Sequence, residues 1–193
     1  MSKIRTYIAE IKPVSGEIIT IKGHAQTLRV QSSVAFIIVR DKTGTVQCVV
    51  EKSHPCFETV KSLTVESVVE ITGAVALTTS TERGLEIQMH EMRVLSLAQA
   101  LPIPVIEKGG VEVSPEKCQD WRFITLRRGR EATIMRALSA MSTGYRQALL
   151  SDGFMEIQTP KLMATPSESR AELFSLEFFG GTAYLAQSPQ LFK

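Results

Sequence analysis

Along the first hundred positions, apolar and polar residues alternate with the two-residue period of half-buried strands. Runs at Glu17–Arg29, Val34–Arg40, Thr45–Val50, Val65–Leu77 and Gly84–Leu97 predict five strands. The polar lead of residues 1–14 is anchored by Tyr7, Ile8 and Ile11. Asp41-Lys42-Thr43-Gly44 has the chemistry of a tight turn, with glycine last, and joins the second and third strands as a hairpin. His54–Leu63 places Phe57, Val60 and Leu63 three residues apart, a short helix. Five strands with a helix between the third and fourth is the order of an OB-fold, a small all-β Greek-key barrel.

The pattern changes after Ala100. Leu101-Pro102-Ile103-Pro104 interrupts strand pairing twice and closes the barrel domain at residues 1–100. Residues 101–128 then read as a linker and hinge, with Gly109-Gly110 and Ser114-Pro115. Arg130–Leu150 is the clearest helix, because Ile134, Leu138, Met141, Tyr145 and Leu149 recur at three- and four-residue steps on one face. Phe154–Ile157 alternates again and predicts a strand that Thr159-Pro160 ends. Ala164–Arg170 has loop chemistry, and Leu173–Phe178 and Thr182–Ala186 predict a hairpin turning at Gly180-Gly181.

Composition narrows the function classes. The 193 residues are 44% apolar with a net charge of +2, so any RNA contact must come from a local patch. Cys48, Cys56 and Cys118 are odd in number and irregularly spaced, which argues against a disulfide framework and fits a reducing cytoplasm. His24, His54 and His90 stand apart, so no metal site is expected. No apolar run is long enough to cross a bilayer.

Two sets of side chains carry candidate chemistry. Phe36 and Gln47 flank the hairpin turn, and Glu86 begins the fifth strand. An aromatic that stacks a base beside an amide and a carboxylate that bond its edge is how unpaired RNA is read. Taken alone, Phe36 suits a core position better, and only a family resemblance lifts the RNA reading above it. Lys22, Arg29, Arg40 and Lys42 are candidates for phosphate contacts. The second set lies near strand ends in the last forty residues: Ser167, Glu168, Gln187, Gln190 and Lys193. A carboxylate suits an α-amino group and an ammonium suits a side-chain carboxylate, so a free acidic amino acid is the ligand these groups suggest.

These stretches resemble the class II aminoacyl-tRNA synthetases, and within them the aspartyl-tRNA synthetases of archaeal and eukaryotic type. Gly153-Phe-Met-Glu-Ile-Gln-Thr-Pro-Lys-Leu162 is similar to the end of motif 1, Pro166-Ser-Glu-Ser-Arg-Ala-Glu-Leu-Phe174 to the flipping loop, and Ala183-Tyr-Leu-Ala-Gln-Ser-Pro-Gln-Leu-Phe-Lys193 to the amino-acid-binding strand. The resemblance implies that residues 129–193 begin an α+β catalytic domain, an antiparallel sheet with the motif 1 helix. It implies aspartate binding by Ser167, Glu168, Gln190, Leu191, Phe192 and Lys193, with Glu168 on the amino group and Lys193 on the side-chain carboxylate. Val34–Gln47 resembles the family's anticodon-binding barrel, which implies that Phe36 stacks an anticodon base while Gln47 and Glu86 bond others. The loop with Glu82 and Arg83 would then discriminate between tRNAs.

As partners, the resemblance implies tRNA-Asp and in some members tRNA-Asn, L-aspartate, ATP with Mg²⁺, and a second copy docked through the 130–150 helix and the 153–163 strand. Two departures stand out: Ser169-Arg170 replaces a usual glycine pair, and Thr125 replaces a usual aspartate. The expected activity is aspartate–tRNA ligation. The chain reads as an N-terminal portion without motifs 2 and 3, so it is expected to form no aspartyl-adenylate alone and the ATP and Mg²⁺ sites are expected outside it. The alternatives are a non-catalytic OB-fold RNA-binding protein and an asparagine–tRNA ligase, the latter disfavoured by the ammonium of Lys193.

Overall fold

The computed structural model describes residues 5–106, 113–166 and 173–192. The five predicted strands form, as β1 (Ile18–Val30), β2 (Val34–Arg40), β3 (Thr45–Glu51), β4 (Val68–Leu77) and β5 (Leu85–Ser96), with helix α1 (Cys56–Ser62) between β3 and β4. They close into a barrel in the order β1-β2-β3-β5-β4. Every pairing is antiparallel except the closing one, in which Cys48 and Val49 of β3 run parallel to Ile87 and Gln88 of β5. Alternation decides what lies inside. Ala35, Ile37 and Val39 of β2 and Val46, Cys48 and Val50 of β3 are buried, and Phe57 and Val60 of α1 join the same core.

Two glycines permit close strand approach. A Cβ on Gly23 would lie 2.5 Å from the Arg40 carbonyl oxygen, and one on Gly73 would lie 2.1 Å from that of Gln88. Gly73 sits at a register shift between β4 and β5, where an inserted residue bends the ladder. The N-terminal lead docks on the β2–β3 turn. A 3₁₀ turn at Ile8–Glu10 buries Ile8, whose amide donates to Asp41 Oδ2 at 3.0 Å.

β4 begins three residues later than its apolar pattern predicts. Glu66 adopts φ 70°, a left-handed value few residues other than glycine take, in the turn that precedes the strand. Glu66 is only 3% exposed. Its Oε2 accepts from Arg40 Nη2 and Arg127 Nη1, both at 2.9 Å, and lies 3.7 Å from His24 Nδ1. A buried carboxylate persists when cations and hydrogen bonds replace its water. Here they tie the barrel to the segment that follows it.

That segment is more structured than a linker reading predicts. Ile103, Val105 and Ile124 form a small core of their own, with Leu101 and Val113 packed against it. Helix α2 (Pro115–Asp120) starts at Ser114, whose side chain accepts from the Lys117 amide, with proline in the first helical turn. After α3 (Arg122–Thr125), Thr125 is buried and its hydroxyl bonds the Cys118 carbonyl at 2.8 Å. A neutral hydroxyl therefore satisfies the position where the family pattern has a carboxylate.

The chain divides into two compact units, Met1–Ala132 and Thr133–Lys193. Most of helix α4 (Gly129–Ser151) belongs to the second, as does a sheet of β6 (Leu162–Met163), β7 (Ser175–Phe178) and β8 (Gly181–Leu185) in the order β6-β8-β7. No residue of α4 is buried. Space is open around Gly144: among the described residues, nothing beyond its chain neighbours and the local helix backbone lies within 4 Å of a Cβ built there. The strand predicted at Phe154–Ile157 does not form, and the first strand after the helix is β6. Alternation alone makes no ladder, and no strand pairs with these four residues among those described. The hairpin turns one residue earlier than its glycine pair suggests. Phe179 and Gly180, at φ 49° and 75°, are the central residues, and Gly181 already pairs with Phe178. Two positive φ values in a two-residue turn match the right-handed twist of the flanking strands.

Candidate functional site

The outer face of β2, β3 and β5 gathers the residues read as RNA contacts. Inward positions on β2 are odd-numbered, so Phe36 points outward and stays partly exposed. It pairs with Val49 of β3, one step from the Ile38–Gln47 pair. Gln47 Nε2 donates to Glu86 Oε2 at 2.9 Å across the β3–β5 seam. The bond fixes the amide's orientation, leaving its oxygen as an acceptor beside a carboxylate. The Cys48 thiol faces the core beneath; burial, and secondarily the Glu86 charge, push its pKa far above the usual thiol range.

The β4–β5 loop completes one end of this face. Gln47, Ile38, Ser80, Thr81, Glu82 and Arg83 surround a hollow of about 250 Å³. The Arg83 guanidinium reaches back to the β2–β3 turn, 3.5 Å from where a Cβ on Gly44 would stand. Phe36, Gln47, Glu86, Glu82 and Arg83, far apart in sequence, thus share one surface. Sequence reasoning missed three members of it. Glu51 follows Gln47 by four residues, and Gln88 and His90 follow Glu86 by two and four, so the same alternation puts them outward; all three are exposed.

The candidate phosphate cations fare differently. Lys22 Nζ is paired with Glu70 at 2.7 Å, and Arg40 is held by buried Glu66. Lys42 Nζ sits 4.6 Å from the centroid of the Tyr7 ring. Arg29 is exposed, opposite Phe36 in the β1–β2 ladder. Prior engagement of Lys22 and Arg40 lowers their availability to RNA, which leaves Arg29 and Lys42 as the better-placed cations.

Of the predicted amino-acid-binding residues, Ser167, Glu168 and Lys193 lie outside the described residues. Gln190, Leu191 and Phe192 form a 3₁₀ turn after β8. The Gln190 amide donates to Ser188 Oγ at 3.3 Å and the Phe192 amide to the Pro189 carbonyl at 2.9 Å, so the segment leaves the sheet as a compact turn. Among the described residues no group of three His, Cys, Asp or Glu is arranged to hold a metal ion. No helix there is long and apolar enough to cross a membrane.

The family model for the OB-fold nucleic acid binding domain matches residues 14–95, and that for the class II tRNA synthetases (D, K and N) matches residues 114–193. The aspartate–tRNA(Asp) ligase of Thermoplasma volcanium is 36% identical over 98% of this chain and 44% of its own length. The aspartate–tRNA(Asp/Asn) ligase of Sulfurisphaera tokodaii is 37% identical over 97% of this chain and 44% of its own. Among solved structures, the asparaginyl-tRNA synthetase of Pyrococcus horikoshii complexed with asparaginyl-adenylate superposes with a TM-score of 0.87 at 32% identity, covering 100% of this chain and 44% of that one. A putative aspartyl-tRNA synthetase from Leishmania major Friedlin does so at 0.85 and 25%, covering 99% and 40%. The chain therefore spans about 44% of the length of the curated relatives it matches.

Proposed function

Since the chain belongs to the class II tRNA synthetases of the D, K and N group, we propose that it serves aspartate–tRNA ligation, with the barrel holding the tRNA anticodon and the second unit contributing to the aspartate site. The observation that carries this reading is the Gln47–Glu86 pair, bonded at 2.9 Å beside partly exposed Phe36. A ring that stacks one base lies next to an amide and a carboxylate that read the edge of another. Glu82 and Arg83, on the loop over the same hollow, then sense the base by which the aspartate and asparagine anticodons differ.

In the second unit, Glu168 receives the α-amino group of aspartate and Lys193 its side-chain carboxylate, with Ser167 and the turn of Gln190, Leu191 and Phe192 framing the ligand. ATP supplies the activating phosphoryl chemistry when bound with Mg²⁺; no ligand for either is assigned to the described residues. Two copies associate through α4 and the segment that follows it. The relatives include ligases named for tRNA(Asp) alone and ligases named for both tRNAs, so asparagine tRNA is a second candidate substrate.

Titration of the 193-residue chain with an aspartate anticodon stem-loop tests the reading. Phe36→Ala is expected to weaken binding by about 5- to 150-fold, the range of one lost base–aromatic stack. Unchanged affinity removes Phe36 from the site. An asparagine stem-loop bound equally well supports action on both tRNAs, and a large preference for the aspartate loop supports one.

A further inference from the structure

The outward residues of the barrel face form steps rather than a single cluster. Pairing sets Ile38 beside Gln47, Phe36 beside Val49 and Val34 beside Glu51. The parallel seam adds Gln88 next to Val49, with Glu86 before it bonded to Gln47 and His90 after it. Successive steps are two residues apart, roughly 7 Å along the strand, close to the reach of one extended nucleotide. The first two steps hold Gln47–Glu86 and Phe36. The third, at Glu51 and His90, opens on a hollow of about 310 Å³ that Ser53, His54 and Gln88 also line.

We propose that this third step is a further nucleobase site, which takes a single unpaired base from the loop nucleotide adjoining the anticodon. The proposal rests on the reading of the barrel as the anticodon-binding domain. The hollow's volume is at the small end for ligand sites, suited to one base. Its chemistry is that of base-edge recognition. Glu51 is an exposed acceptor, Gln88 offers a donor and an acceptor, and His90 presents an exposed ring for stacking. His54 Nδ1 accepts the Cys56 amide hydrogen at 3.2 Å, so a neutral His54 carries its proton on Nε2 and keeps a second donor. An acceptor beside a donor matches the amino group and adjacent ring nitrogen of adenine or cytosine, and mismatches the O4 carbonyl that uracil presents in place of the amino group. A carboxylate at this step also repels phosphate, so the base and not the backbone faces Glu51.

The test is a double-mutant cycle with the 193-residue chain. Wild type, Glu51→Ala, His90→Ala and Phe36→Ala are titrated with an intact aspartate anticodon stem-loop and with two stem-loops, each abasic at one nucleotide flanking the anticodon. One abasic RNA is expected to bind wild type about tenfold more weakly, the scale of one lost stack. His90→Ala is expected to lose the same factor with intact RNA and to bind that abasic RNA no worse than the intact one. Additive losses overturn the site. So does normal affinity in both Glu51→Ala and His90→Ala while Phe36→Ala still weakens binding, and then the anticodon reading stands. If no variant weakens binding, both fall. Glu51 and His90 are exposed, so matching melting temperatures confirm that the variants remain folded.

Discussion

Asp41 illustrates how one side chain joins two parts of the sequence. Its Oδ1 closes the β2–β3 turn by accepting from the Thr43 hydroxyl and from the amides of Thr43 and Gly44, while Oδ2 accepts from the Ile8 amide of the N-terminal lead. Burial pushes its carboxyl up, but these hydrogen bonds outweigh burial and hold the pKa below the usual carboxylate value. A carboxyl lowered on folding contributes stability that is present above the unfolded value, about 3.9, and is lost as pH falls through the folded one. Asp41→Asn, an amide that keeps the shape, is expected to cost about 1–3 kcal/mol at neutral pH. In urea titrations the gap between variant and wild type should close as pH drops below 4. A gap that persists at pH 2 would show that shape, not charge, sets the cost. The turn itself was legible from Asp41-Lys42-Thr43-Gly44. Its partnership with Ile8 was not, since no local pattern reports a contact across 33 positions.

Among the elements, the barrel was read almost strand for strand, because burial on one side only leaves a two-residue period that Ile37, Val39, Cys48 and Val50 display. Periodicity says which side chains share a face and says nothing of who pairs with whom. Phe154–Ile157 alternates as well as any of them yet forms no strand. Helix α2 is not legible in the same way: Ser114 and Pro115 carry a cap and a first-turn proline, yet six residues are too few to show a helical period. The candidate RNA contacts were legible from alternation together with resemblance, whereas Glu51, Gln88 and His90 became part of the picture only when β3 and β5 were seen side by side. Also invisible in sequence was the bond between barrel and hinge, where Glu66 meets Arg40 and Arg127. Glu66→Ala leaves the Arg40 guanidinium, 18% exposed, without its counter-charge and is expected to destabilise the first unit by about 3 kcal/mol. Arg127→Ala removes a guanidinium that is 37% exposed and should cost under about 1 kcal/mol. Chemical denaturation checks this order, and equal losses would refute it.

On the scale of the whole molecule, α4 stands apart. Leu138, Met141 and Tyr145 are 50%, 70% and 71% exposed, and they belong to a face that continues to Phe154 and Met155 around a groove of about 560 Å³. Apolar surface of this kind gathers where a partner covers it. If two copies associate here, Leu138→Glu with Met141→Lys should move the dimer midpoint in analytical ultracentrifugation at least about tenfold upward in concentration; an unchanged midpoint would place the contact elsewhere. The first unit has the opposite character. At Gly23 and Gly73 neighbouring strands come so near that not even a methyl group fits between them, and Gly73 abuts the carbonyl of Gln88 on the candidate RNA face. A wall braced in this way acts as a ruler with fixed graduations. If RNA docks on this face, the adjustment on binding falls on the nucleic acid, whose backbone must fit the protein's interval.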